Sequence, residues 1–309
     1  MKVYHHYNEF VSHNNAVVTT GTFDGVHNGH LQIINRLNTI TKATGGESVI
    51  FTFDPHPRRV LHSNDNDLLE LTTLNEKINL LRAAGVQHLI IQPFTQEFSR
   101  LSSLDFVRKI MVDKIGTQRL VIGYDHRFGR NREGAFEHLK EFGPLYGFEV
   151  EEISAQLIDD VTVSSTKIRN ALLAGEITKA NHYLGYSYFA MGTVVTGAQL
   201  GRTIGFATAN IELDYIHKLT PCNGVYAVQV QHNNTMYNGV CNIGTRPTVD
   251  GSTRKIEVHI FDFDASIYNE QLQLFFVDKL RNEQKFESLT ALKAQIASDV
   301  AVAKQLLSK

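Results

Sequence analysis

An α/β module with a parallel sheet, followed by a mainly β module, is the fold class that this chain predicts. Three observations carry it. In the first half, short β-branched runs alternate with stretches of helical apolar spacing, the pattern of a parallel sheet with helices on both faces. From Tyr188 onward strand follows strand, which suggests an antiparallel barrel or sandwich. A length of 309 residues accommodates two domains comfortably. The change of pattern sets the boundary near 185, giving modules 1–185 and 186–309.

Taken in order, Ala16 to Thr20 reads as a buried strand, and Leu31, Ile34 and Leu37 mark the helix that follows. Strands are expected over 48–53, 88–92, 119–123 and 148–153. Helical spacing covers 75–84, and Ser103 caps a helix through Phe106, Ile110 and Ile115. The prolines of Asp54-Pro-His-Pro57 stop the second strand. Short helices precede Gly175 and Gly185. The second half predicts strands over 189–195, 224–231, 236–243, 256–261 and 273–277, with a hairpin turn at His232-Asn-Asn-Thr. Leu289, Leu292, Ile296, Val300 and Ala303 form one face of a final helix expected to pack on the β module.

Composition narrows the class of function. The formal net charge of −2 does not point to general nucleic-acid affinity. No apolar run is long enough to span a membrane, and the first twenty residues lack the apolar core of a signal peptide. Two cysteines, Cys222 and Cys241, without C-x-x-C spacing, suit free thiols in a reducing cytoplasm.

The first chemical signal is Gly21-Thr-Phe-Asp-Gly-Val-His-Asn-Gly-His30 between strand and helix. Glycines let backbone amides approach a ligand, and a helix N-terminus attracts phosphate. His27 and His30 share a face at helical spacing. Imidazole N–H groups there suit the charge that develops on phosphorus oxygens during transfer. On spacing alone, a turn with two incidental histidines reads as well. A metal pair is disfavoured, because no Cys or Glu nearby completes a ligand set. A second signal is Ser164-Ser-Thr-Lys-Ile-Arg169. Hydroxyl residues cap helices, but Lys167 and Arg169 in a first turn oppose the dipole, and a bound anion resolves that conflict. The loop after Gly123 holds Arg127, Arg130 and Arg132, either a solvated basic loop or a phosphate clamp.

The His27–His30 string resembles the HxGH signature of nucleotidyltransferases, and the longer GTFDGVHNGH is similar to the adenylylation module of prokaryotic bifunctional riboflavin kinase/FAD synthetases. SSTKIR resembles the SSTxxR motif of the same superfamily. In the second half GRTIGFATAN resembles the riboflavin kinase signature GRxxGFPTAN, with Ala207 in place of Pro. Gly224-Val-Tyr-Ala, Asn242-Ile-Gly-Thr-Arg-Pro-Thr248 and Glu257-Val-His-Ile-Phe-Asp-Phe also match.

The resemblance implies a Rossmann-like adenylyltransferase domain and a kinase β-barrel. Riboflavin plus ATP would give FMN, and FMN plus ATP would then give FAD and pyrophosphate. It implies His27, His30 and Glu257 as catalytic residues. For nucleotide it implies Gly21, Phe23, Asp24, Gly25, Asp125, Arg127, Ser164, Ser165, Thr166, Lys167, Arg169, Gly201, Arg202 and Gly205. It implies Phe53, Pro55, Phe128 and Arg281 for the flavin, with His126 standing where Phe is common. Thr208 and Asn210 would hold Mg²⁺, for which their oxygens are suited. Riboflavin, FMN and ATP are the implied partners, without nucleic acid or membrane, in a monomer or weak homo-oligomer. The rival expectations are another HxGH adenylyltransferase and a non-catalytic flavin- or nucleotide-binding regulator.

Overall fold

The structure, a computed structural model, describes the chain except residues 13–14, 62–67, 124–127, 131–133, 135, 154–162, 198–200, 202–203, 249–250 and 309, and leaves out the side chains of 246–248 and 251–253. The chain divides into two compact units, Met1–Ser165 and Thr166–Lys309.

The first unit is built on a parallel six-stranded sheet. Its strands are β1 (Lys2–Tyr4), β2 (Ala16–Thr20), β3 (Glu47–Asp54), β4 (His88–Pro93), β5 (Thr117–Gly123) and β6 (Glu149–Ile153), in spatial order β1-β4-β3-β2-β5-β6. All five pairings are parallel. Between them run α1 (Asn28–Thr44), α2 (Pro57–Leu61), α3 (Leu74–Ala83), α4 (Gln96–Ser99), α5 (Ser103–Asp105) and α6 (Phe136–Tyr146). Strand alternation sends Ala16, Val18, Phe51 and Ile122 into one core and Val17, Ile50, Ile91 and Val121 into another. The sheet is therefore buried on both faces, as all-parallel sheets require. The order reverses beside β2, whose neighbours are β3 and β5. Ligands of such sheets bind outside the carboxyl ends of the strands at that reversal, and Gly21–His27 follows β2 there.

The expected helix from Ser103 is α5 continued by a π-helix, Phe106–Ile115. Its wider turn puts Phe106, Val107, Ile110, Met111 and Ile115 on one buried face, where spacings of four and five residues no longer drift. Strand β1 and helices α2, α4 and α6 were not anticipated; all but α6 are five residues or fewer, too short for a periodicity to register.

The second unit begins with α7, whose residues are Ser165–Ala174 and whose first residue belongs to the first unit, and α8 (Ile177–Leu184). Six strands then close an antiparallel barrel: β7 (Phe189–Val195), β8 (Ala209–Leu213), β9 (Gly224–His232), β10 (Thr235–Thr248), β11 (Gly251–Ile260) and β12 (Gln271–Arg281), in order β10-β11-β8-β7-β12-β9. One parity of side chains fills the interior, among them Tyr226, Val228, Cys241, Val258, Leu274 and Phe276, all fully buried. The opposite parity faces outward. Helix α9 (Leu289–Leu307) covers part of that outer face, where Ala303, Val300 and Leu307 pack on Val225, Ala227, Val240 and Phe261. Leu289, expected on the packed face, is 64% exposed at the helix start.

The two units part twenty residues before the expected boundary at 185 because α7 and α8 hold to the barrel. The Leu172 carbonyl accepts from the Cys222 amide at 3.1 Å. The Asn181 amide group donates to the Phe276 carbonyl at 2.8 Å, and its oxygen accepts from the Tyr188 amide at 2.7 Å.

Candidate active sites

In the first unit the turn between β2 and α1 is shaped by three departures from ordinary backbone within four residues. Phe23, Gly25 and Val26 have φ of 48°, 83° and 36°, a left-handed region that non-glycine residues occupy only when the surroundings hold them there. Asp24 supplies that hold. Its carboxylate, 1% exposed, accepts from the Leu71 amide at 2.9 Å and the Thr72 amide at 3.1 Å. The Gly25 amide donates to Thr72 Oγ1 at 3.1 Å. From the far end of the unit, Ser165 Oγ donates to the Asp24 carbonyl at 2.9 Å.

His27 caps α1 with its side chain, Nδ1 accepting from the His30 amide at 3.4 Å. That bond places the ring proton of His27 on Nε2. The two imidazoles stack with centroids 3.7 Å apart and planes 16° from parallel, and Phe23 lies 5.0 Å from His30. Burial, then the neighbouring His27 and then Lys77 push the His30 pKa well below the usual histidine value. His30 is therefore neutral at pH 7, and its buried Nδ1 has no hydrogen-bond partner among the described residues. The turn offers two stacked imidazoles, His30 neutral, at the positive end of a helix dipole, an arrangement suited to stabilising charge on a reacting phosphate.

In the second unit, register brings several of the expected site residues together. Glu257 on β11 lies opposite Asn210 on β8 and opposite Asn242 on β10. Asn242 in turn faces Val225, which faces Arg281 on β12. Directly opposed residues share a face with Cβ atoms about 5 Å apart, so this row runs along the outer side of the barrel. Gly197 and Gly201 make the adjoining loop close-fitting. A Cβ at Gly197 would lie 2.1 Å from Asn210 Nδ2, and one at Gly201 would lie 2.2 Å from the Phe206 carbonyl and 3.3 Å from Thr208 Oγ1. Gly205 has φ of 88°, conformationally open to glycine. His259, two residues beyond Glu257, donates from Nδ1 to the Ala207 carbonyl at 2.8 Å and thereby fixes the loop where proline is absent. Thr208 and Asn210 lie beside this close-fitting loop with oxygen donors, which suit a hard cation such as magnesium in chemistry.

A family model described as FAD synthetase matches residues 10–167, and one described as riboflavin kinase matches 184–307. A protein of Escherichia coli strain K12 named bifunctional riboflavin kinase/FMN adenylyltransferase is 38% identical over 291 residues, covering 94% of this chain and 92% of its own. One of the same name from Pseudomonas fluorescens is 38% identical over 95% of this chain and 94% of its own. This chain belongs to the bifunctional riboflavin kinase/FMN adenylyltransferase family.

Its adenylyltransferase module precedes its kinase module. A solved structure described as a macrolide-efflux protein from Streptococcus pneumoniae has a TM-score of 0.90 at 30% identity over 98% of both chains. It is similar to this chain throughout, yet both family models and the curated relatives agree on flavin chemistry. Among the described residues no helix is long and apolar enough to cross a membrane.

The structure sorts the expected site residues of the family. Gly21, Phe23, Asp24, Gly25, His27, His30 and Ser165 converge on one turn, with Ser164 immediately before α7. Asp24 does so with its carboxylate turned into the protein. Thr166 and Lys167 are exposed and Arg169 is half-buried on α7. Phe53 joins an aromatic cluster with Phe94 at 5.4 Å and Phe98 at 6.0 Å, while Pro55 is exposed at the end of β3. Phe128 is buried against Phe106 at 6.0 Å. Arg281 is committed elsewhere: its guanidinium binds both oxygens of the buried Asp299 on α9, Nε at 3.0 Å from Oδ1 and Nη2 at 2.8 Å from Oδ2. Asp125, His126, Arg127 and Arg202 lie outside the described residues. Sequence reasoning passed over Thr72, Asn242 and the part His259 plays in holding the loop. The last two were legible in principle, since Asn242 and His259 fall within matched strands and His259 keeps the two-residue period of Glu257.

Proposed function

We propose that this protein makes FAD from riboflavin in two steps, both with ATP. In the kinase module, whose bounds we place at 186–309, the riboflavin 5′-oxygen attacks the γ-phosphorus. A new O–P bond forms, the bond to the departing ADP oxygen breaks, and Glu257 accepts the hydroxyl proton. Gly201 and Gly205 admit the phosphates to the loop backbone. Thr208 and Asn210 would hold Mg²⁺, which when bound neutralises charge on the ATP phosphates.

In the adenylyltransferase module, 1–185, an FMN phosphate oxygen attacks the α-phosphorus of ATP, and pyrophosphate leaves with the electrons of the broken bond. His27 Nε2–H and the neutral His30 donate hydrogen bonds to the phosphorus oxygens as charge gathers there. No protein nucleophile is required, because FMN phosphate is already anionic. Lys167 and Arg169 bind the triphosphate, and the aromatic cluster about Phe53, with Pro55 and Phe128, receives the flavin. We read the protein as acting in the cytoplasm on small molecules alone, as a monomer or weak homo-oligomer, without nucleic acid or membrane as partner.

The observation that carries this reading is the presence in one chain of two unlike side-chain groupings suited to phosphate chemistry, a paired-imidazole turn at the reversal of a parallel sheet and a Glu257–Asn210 pair on a barrel. Incubation with riboflavin, ATP and magnesium, with chromatography of the flavins, tests it. FMN and then FAD are expected, and chelation of the metal stops FMN formation. Unconverted riboflavin would sink the first step, and FMN without FAD the second.

A further inference from the structure

The ladder between β8 and β11 ends beside the kinase chemistry. It pairs Ile211 with Ile256, Asn210 with Glu257 and Ala209 with Val258, and stops there. Thr208 stands immediately before β8, so one expected metal ligand lies inside the ladder and the other just outside it. The facing strand does not leave the barrel, because His259 still pairs with Val240 on β10. From that anchored position its side chain reaches the departing segment, Nδ1 donating to the Ala207 carbonyl at 2.8 Å. Where the ladder ends, an imidazole supplies the next link, one residue from Thr208.

The imidazole is itself held. Phe206 meets it edge-on at 5.4 Å, and Phe261 lies 5.8 Å away on the other side of the contact. The turn that carries Phe206 is closed by its amide, which donates to the Gly201 carbonyl at 2.8 Å. A carbonyl only accepts, so Nδ1 of His259 carries a proton. Ala207 lacks the fixed φ of a proline, which leaves the direction of its backbone to a bond from outside the loop. We propose that His259 is a positioning residue of the kinase module. By holding the Ala207 carbonyl it fixes the backbone of Thr208 relative to Asn210, so that a ligand outside the ladder and one inside it serve the same magnesium ion. This rests on the reading of the second unit as a riboflavin kinase with Thr208 and Asn210 as its metal ligands. His259 acts through the backbone and touches neither substrate nor metal.

The test compares two variants of the full-length protein. His259→Phe keeps an aromatic ring and loses the donor, while His259→Asn keeps an N–H donor near the position of Nδ1. His259→Phe should lower kcat/KM for ATP in FMN formation by roughly tenfold and raise the magnesium concentration for half-maximal rate by a similar factor. FAD formation from supplied FMN should be unchanged. His259→Asn should recover most of the magnesium response. Without metal or nucleotide, hydrogen exchange over residues 204–209 should quicken roughly tenfold in His259→Phe, with β9 and β12 as protected as in the wild type. Nitrogen NMR of the wild type should show His259 protonated on Nδ1. A merely structural histidine gives a different pattern: a lower melting temperature with the magnesium response intact, or a loss that His259→Asn does not recover. Either result, or a neutral His259 with its proton on Nε2, overturns the proposal and leaves the kinase reading standing, whereas a wild-type protein that forms no FMN overturns both. Should His259→Phe fail to fold, the wild-type imidazole decides: a His259 Nδ1 resonance that moves with magnesium and a non-hydrolysable ATP analogue supports the proposal, and one that stays still overturns it.

Discussion

Two imidazoles stacked at 3.7 Å resist carrying two positive charges, and burial adds to the resistance at His30. The folded His30 pKa lies below its unfolded value, so between the two the unfolded chain binds the extra proton. Stability of the first unit is then undiminished above about pH 6.5 and falls as the pH drops from there toward the folded value, by at most about 1.4 kcal/mol per pH unit. Denaturant midpoints measured at about pH 7.5 and about pH 5.5 should differ in this direction, and His30→Gln should reduce the difference. A second expectation concerns Asp24. Its carboxylate holds two backbone amides inside the protein, and hydrogen bonds to a charged group contribute about 1.5–3 kcal/mol each. Asp24→Ala should destabilise the first unit by at least that much and suppress FAD formation, because the turn that carries His27 loses its tether. FMN formation should persist. Normal FAD formation by Asp24→Ala would refute this account of the turn.

Helix α9 shows how an element can depend on one strand-end residue. Its apolar contacts with the barrel end in small and branched side chains, and the Arg281–Asp299 pair adds a bidentate link between β12 and the helix. Asp299 is 5% exposed, so Arg281→Ala strands a buried carboxylate. Breaking such a pair typically costs 3–5 kcal/mol. The partly exposed guanidinium sets the expectation at the lower end, about 3 kcal/mol. Hydrogen exchange should quicken through α9 more than through β7 or β8, and Asp299→Asn alongside it completes a double-mutant cycle. Unchanged exchange in α9 would mean that the apolar contacts alone hold the helix. The motif that suggested Arg281 was legible, but its partner was not. Asp299 lies eighteen residues further on, on a helix whose polar face gives no sign of what it meets. The π-helical Phe106–Ile115 was legible only as a helix, since spacings of four and five are compatible with either winding.

Across the whole chain, the two units hold chemistries that exchange only FMN. Glu257→Ala should abolish FMN formation and leave FAD formation from supplied FMN. The double variant His27→Ala, His30→Ala should do the reverse. A mixture of the two proteins should then convert riboflavin to FAD through FMN released into solution, measured by chromatography of the flavins. Accumulation of FMN without FAD in the mixture would contradict the division of labour. The change from alternating to successive strands marked two modules, but α7 and α8 side with the barrel through bonds with Cys222 and Phe276. Those two partners are remote in sequence, so no local pattern could assign the helices.

Local order and motif were readable without coordinates because they are written in neighbouring residues. Period two gave most strands, period three to four gave most long helices, and GTFDGVHNGH, SSTKIR and GRTIGFATAN carried the resemblance to the family. What required folding was every relation between distant segments: the reversal of strand order beside β2, the register that sets Glu257 opposite Asn210, and the tether from Asp24 to Thr72. Each is decided by which surfaces are removed from water together, a property of the packed chain and of no single stretch of it.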